Sequence, residues 1–206
     1  MEVTQARAHT SLGAVRASVS LTSPDGETCR LEVPKAVGRA LAALDETPTS
    51  LAEAHDLIMT LEMRQARERV VSLVRARERS REDVRRRLLE EGYASEVVEA
   101  ALEEACAARI VSDARFADAF VSSKLRAGWG RRRIERELAT RGIDAAEVEW
   151  PEELDEEAEY ERALELAGRH HVSGKDAVAK QTRYLVGRGY STDVAYRAAR
   201  QALSEE

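Results

Sequence analysis

Three segments of this chain are variations on one phrase, and that repetition limits the available folds more than any other feature. They are Leu88-Leu89-Glu90-Glu91-Gly92-Tyr93, Leu138-Ala139-Thr140-Arg141-Gly142-Ile143 and Leu185-Val186-Gly187-Arg188-Gly189-Tyr190. Each sets a Leu, a Gly four residues later, and a large apolar residue directly after the Gly. The Leu reads as a core position in the last turn of a helix. The Gly falls just past that end, where left-handed backbone costs it little. The apolar residue then folds back onto the helix it has left. A polar residue follows each phrase (Ser95, Asp144, and Ser191 or Thr192), placed to accept the orphan N–H groups of a new helix.

Upstream of each phrase runs another amphipathic stretch. Val70, Val71, Leu73 and Val74 mark the first, Phe116, Ala117, Phe120, Val121 and Leu125 the second, and Tyr160, Ala163, Leu164 and Ala167 the third. Ser80 restarts a helix in the first repeat, Gly128-Trp129-Gly130 in the second, and residues 170–175 in the third. The reading is an all-α chain of three tandem three-helix repeats, over 63–110, 111–154 and 155–206. Stacked in a row, they form an elongated, curved array that shares its core between neighbours. The acidic stretch 147–161, with Trp150-Pro151, reads as a flexible joint.

Residues 1–62 are predicted to form an extension. The first dozen are patternless and read as frayed. Val15, Ala17, Val19 and Leu21 alternate with polar positions, Ser23-Pro24-Asp25-Gly26 signals a turn, and Cys29, Leu31 and Val33 alternate again. That is a small N-terminal β-hairpin, which needs support from a following helix over 36–44. Thr47-Pro48 breaks that helix, and Thr49 or Ser50 caps the next, marked by Leu51, Ala54, Leu57, Ile58 and Leu61.

Composition agrees with helix and narrows function. Charged residues are 34% of the 206, aromatics only 4%, and the net charge is −6, which excludes a uniformly basic nucleic-acid binder but not a bipolar one. Cys29 and Cys106 are too far apart in sequence, with no ligand spacing around them, to suggest a disulfide framework or a metal site. No apolar run approaches a membrane span, and Met1–His9 lacks the order of a signal peptide, so the expected compartment is the cytoplasm.

Two arginine clusters sit near helix starts at equivalent places in the first two repeats. One comprises Arg75, Arg77, Arg79, Arg81, Arg85, Arg86 and Arg87; the other comprises Lys124, Arg126, Arg131, Arg132, Arg133, Arg136 and Arg141. Cations there oppose the helix dipole, which points to an external anion. The alternative is a solvated face of i,i+4 pairs with neighbouring Glu. Trp129, between two glycines, is placed either to stack on a base or partner, or to staple its loop onto the next helix. His170-His171 has no further ligand in register and reads as structural. The sequence carries no phosphate loop, nucleophile motif or isolated carboxylate pair, so no enzyme, cofactor or metal is expected.

From about residue 64 onward the chain resembles the RecX family of regulatory proteins. The stretch Ile110-Val111-Ser112-Asp113-Ala114-Arg115-Phe116-Ala117 through Phe120-Val121 is similar to the family's central signature. So are Gly128-Trp129-Gly130, Ile134, Leu138 and Arg141-Gly142-Ile143. Arg79-Ser80 with Val84, Leu88 and Gly92 resembles its first repeat, and Tyr184-Leu185 with Gly189-Tyr190 and Asp193 its third. Ser112 stands where the family often has an acidic residue. The resemblance implies a monomeric, non-enzymatic protein that binds the RecA filament on single-stranded DNA and inhibits its ATPase and strand exchange. The contact residues expected on this reading are Arg79, Arg81, Arg85, Arg86, Lys124, Arg126, Trp129, Arg131, Arg132, Arg133 and Arg136. The competing reading is a direct DNA binder whose helix pairs act as helix-turn-helix units.

Overall fold

The computed structural model describes residues 2–3, 5–9, 15–44, 47–151 and 155–204. They divide into two compact units, Met1–Ser112 and Asp113–Glu206.

The first unit opens on a three-stranded antiparallel sheet in the order β1 (Gln5–His9), β2 (Arg16–Thr22), β3 (Thr28–Pro34). The expected hairpin is β2–β3, closed over Ser23–Glu27, where the Glu27 N–H donates to Ser23 Oγ at 3.0 Å and Gly26 takes φ +86°. The third strand corrects the reading of the first dozen residues as frayed. Its inward residues are only Ala6 and Ala8, which pair with Leu21 and Val19 and carry little strand signal of their own. The ladder to β2 supplies what side-chain patterning does not. One face of the sheet is apolar, through Ala17, Val19, Leu21 and Val33, and the other carries Ser18, Ser20 and Thr22.

Helix α1 (Lys35–Ala42) lies on the apolar face. Its Gly38 passes so close to the sheet that an added Cβ would sit 2.3 Å from that of Ala17. Helix α2 (Leu51–Ala76) starts at Ser50, whose hydroxyl accepts the Glu53 N–H at 3.1 Å. The Glu53 carboxylate accepts in return from the Thr49 N–H and hydroxyl, a variant of the capping box. Ala54, Ile58 and Leu61 of α2 pack on the sheet; Ala66, Val70 and Leu73, further along the same unbroken helix, pack against α3 (Arg81–Glu90) and α4 (Ser95–Ala107).

The second unit contains α5 (Asp113–Arg126), α6 (Arg131–Ala139), a single 3₁₀ turn at Ala145–Glu147, and then α7 (Glu156–Arg169), α8 (Ala177–Arg188) and α9 (Thr192–Ser204). Phe116, Val121, Ile134, Leu138, Ile143 and Val148 form one core; Ala163, Leu185, Tyr190, Val194 and Ala198 form another. The third helix expected in the second repeat is thus cut to one 3₁₀ turn. The chain from Val148 to Pro151, read as a joint, packs instead: Val148 is buried, and the Trp150 indole N–H donates to the Ala145 carbonyl at 2.9 Å. Among the described residues no helix is long and apolar enough to cross a membrane.

The recurring phrase has the same geometry each time. Leu88, Leu138 and Leu185 are fully buried. The N–H groups of Tyr93, Ile143 and Tyr190 donate back to their carbonyls at 3.2, 3.1 and 3.2 Å. Gly92, Gly142 and Gly189 take φ of +89°, +73° and +100°, as a Schellman turn requires. The polar residue that follows does not behave uniformly. Asp144 and Ser191 accept from Ala146 and Val194 as expected. Ser95 does not cap; it is the first residue of α4, and the capping position falls on Ala94, whose N–H donates 2.6 Å to the buried carboxylate of Glu62 on α2.

Candidate partner-binding surface

The first arginine cluster lies on and just before α3, which Ser80 starts by accepting the Asp83 N–H at 3.1 Å. Arg79 points back, and its Nε donates to the Leu73 carbonyl near the end of α2 at 3.3 Å. Burial, then the neighbouring charge of Arg77, lowers its pKa. Arg81 and Arg85 share the Glu99 carboxylate of α4, at 3.2 and 2.6 Å. Those hydrogen bonds, Arg85's foremost, hold Glu99 below the usual glutamate range. Arg86 pairs with Asp83 at 2.5 Å. Arg87 and Arg69 share Glu91, at 2.8 and 2.6 Å. The charge on α3 is therefore answered from within the same unit.

The second cluster is arranged differently. The Gly128-Trp129 corner ends α5 with the Trp129 N–H donating to the Lys124 carbonyl at 3.0 Å. The indole lies against the core, edge-on to Phe120 with centroids 6.5 Å apart. The Lys124 ammonium is 4.7 Å from the indole centroid and the Arg133 guanidinium 3.8 Å, so the ring holds two cations near the surface. Arg131 pairs with Glu135 at 2.8 Å and stacks over Trp150. Among the described residues Arg126 donates only to the carbonyl of Ser122 on its own helix, at 3.2 Å. Arg132 and Arg136 are exposed and meet no carboxylate among the described residues. The sequence-expected residues thus fall into two groups: Arg79, Arg81, Arg85 and Arg86 in the first unit, and Lys124, Arg126, Trp129, Arg131, Arg132, Arg133 and Arg136 gathered around the α5–α6 corner of the second.

Two residues that support these surfaces leave no mark in local sequence. Helix α6 has no capping side chain at Gly130; its first N–H, from Arg131, donates 2.9 Å to the Glu159 carboxylate of α7. That internal anion meets the helix end whose dipole the arginines oppose. Glu62 does the same for α4. Their partners lie 28 and 32 positions away, so no short-range spacing reveals them. Gly130 also meets Gly189 backbone to backbone: its N–H donates to the Arg188 carbonyl at 3.0 Å, and a Cβ on it would come within 2.5 Å of the Gly189 carbonyl carbon.

Among the described residues no three His, Cys, Asp or Glu are grouped to hold a metal ion. His170 stacks on Tyr184 at 3.8 Å, and its Nδ1 hydrogen-bonds the buried Gln181, a packing role.

Short helical units closed by a repeated turn, behind an N-terminal three-stranded sheet, define a mostly helical repeat protein. Residues 112–149, which contain the α5–α6 corner, match the family model for the second three-helix domain of RecX. A regulatory protein RecX of Pseudomonas fluorescens is 32% identical over 137 residues, covering 62% of this chain and 85% of the relative. That of Ectopseudomonas mendocina is 32% identical over 143 residues, 65% and 92% of the two chains. This chain belongs to the RecX family of regulatory proteins, which are not enzymes. Among solved structures, a crystal structure of regulatory protein RecX superposes with a TM-score of 0.60 at 19% identity, over 97% of this chain and 98% of that one. RecX from Lactobacillus salivarius gives 0.58 at 16%, over 68% and 96%. Both share the fold.

Proposed function

We propose that this chain is a RecA regulator that binds the recombinase filament on single-stranded DNA and lowers its ATPase and strand-exchange activity, acting as a cytoplasmic monomer. Family membership supports the partner. The observation that carries the site is the α5–α6 corner, where Arg126, Arg132 and Arg136 lack carboxylate partners among the described residues and Lys124 and Arg133 rest on Trp129. Such cations are available to phosphates or to an acidic protein surface without first breaking an ion pair. Trp129 serves on this reading as the platform that orients two of them. Arg79, Arg81, Arg85 and Arg86 contribute less, because each already has an internal partner.

The competing reading, sequence-specific duplex binding by helix-turn-helix-like pairs, draws on the tight α5–α6 corner. The acidic net charge of −6 weighs against it. Binding of the labelled protein to free single-stranded DNA, to duplex and to a RecA–single-stranded DNA filament separates the two. Clear preference for the filament is expected; tight duplex binding with no filament preference would overturn the proposal.

A further inference from the structure

We propose that the second unit contains a phosphate-binding pocket between α5 and α7, with Arg162, Arg126 and Ser122 as its ligands. A cavity of about 410 Å³ opens there, lined by Ser122, Leu125, Arg126, Pro151 and Arg162. The Arg162 guanidinium is anomalous. Its Nε, Nη1 and Nη2 are all shielded from water, and it meets no carboxylate among the described residues. Its polar neighbour is the buried Tyr190 hydroxyl, a neutral group that leaves the charge unanswered.

A guanidinium cannot shed its charge at physiological pH, and holding it away from water with no anion beside it is unfavourable. The arrangement therefore calls for an anion. The cavity beside Arg162 supplies the space, and its rim already carries a second guanidinium, Arg126, which uses only its Nε on the helix backbone. With Arg162 turned toward the cavity, two arginine forks from different helices and a serine hydroxyl would offer donors to a single ligand. That suits the tetrahedral oxygens of a phosphate; a planar carboxylate is satisfied by one fork. Arg162 reaches such a ligand by turning about its terminal torsions.

The phosphate is either a nucleic-acid backbone group or free inorganic phosphate. Only the first source leans on the proposed function. The second needs no recombinase, so the tests stand apart.

The experiment measures binding of inorganic phosphate to the full chain by calorimetry, and of an oligodeoxythymidylate by anisotropy, for wild type, Arg162→Met, Arg126→Gln and Ser122→Ala. Single-site phosphate binding, weakened at least tenfold in Arg126→Gln and Arg162→Met, is the expected result. Arg162→Met should also melt at or above wild type in chloride, since it removes the unpaired charge. Phosphate binding with unchanged oligonucleotide affinity assigns free phosphate. Loss of oligonucleotide affinity, with a log–log salt slope lowered by about one, assigns the backbone. If Arg162→Met fails to fold, Arg126→Gln and Ser122→Ala carry the comparison. No phosphate binding together with unaltered oligonucleotide binding in the variants overturns the pocket, as does acetate binding as tightly as phosphate.

Discussion

Helices α3 and α6 hold equivalent places in two repeats and reach opposite electrostatic ends. Each is rich in arginine and sets a buried Leu four residues before a left-handed Gly, but the first turn of α3 carries Glu82 and Asp83 where that of α6 carries Arg132 and Arg133. Around α3, Glu99 of the full helix α4 binds Arg81 and Arg85, and Glu91, just past the end of α3 itself, binds Arg87 and Arg69 of α2. Around α6 the corresponding element is a single 3₁₀ turn, and Arg132 and Arg136 face outward without such partners among the described residues. The lesson is that an arginine run does not itself define a binding surface. What decides is whether the neighbouring helix in the same unit supplies carboxylates.

The shared part of the comparison is the core, and it carries the largest expected effects. Leu88→Ala and Leu138→Ala should each lower unfolding free energy by about 2–5 kcal/mol, because both side chains are fully buried. Chemical denaturation of the two variants checks it; a negligible loss in one alone would break the likeness between the units. Next come the distant caps. Glu62→Ala and Glu159→Ala should each cost about 0.5–2 kcal/mol, the first by orphaning the Ala94 N–H just before α4 and the second the first N–H of α6. Unchanged melting of either variant would remove that carboxylate from the account.

Smaller effects sharpen the difference. Arg85→Ala should lower the melting temperature slightly, because it removes an ion pair with Glu99, while Arg132→Ala should leave thermal unfolding unchanged. Equal destabilisation would mean that Arg132 is a structural residue. The smallest is a pH effect. Glu99 is held below its ordinary value of 4.5, chiefly by its hydrogen bond with Arg85. The stability it contributes is present above that value and lost as pH falls through its depressed pKa in the folded chain. Glu99→Gln should therefore flatten the acid limb of the stability curve, and an identical acid limb would contradict the assignment.

The helical units were legible because their punctuation is local. Leu, Gly and an apolar residue at fixed spacing encode a Schellman turn, and Ser50, Ser80, Asp144 and Ser191 encode caps within three residues of the N–H groups they accept. Strand β1 was not legible, because Ala6 and Ala8 gain their place only by pairing with β2. The loss of a third helix in the second repeat lies in Val148 and Trp150, which turn inward just before Pro151 instead of continuing a helix. The arginine positions could be read directly, and so could local pairs such as Arg87–Glu91 and Arg131–Glu135; the pairing between helices could not. Glu99 and Glu159, and Glu91 toward Arg69, become partners only when separate helices meet. Arg162 gave no signal at all, since an isolated Arg on an amphipathic helix looks solvated until its surroundings are known.

The central claim is that the α5–α6 corner engages the recombinase filament. RecA ATPase on single-stranded DNA, titrated with this protein and with an Arg132→Ala/Arg136→Ala variant of unchanged stability, tests it most directly. The account predicts dose-dependent inhibition by wild type and at least a tenfold higher dose for the variant. Equal inhibition by both would move the contact elsewhere, and no inhibition by either would contradict the regulatory role itself.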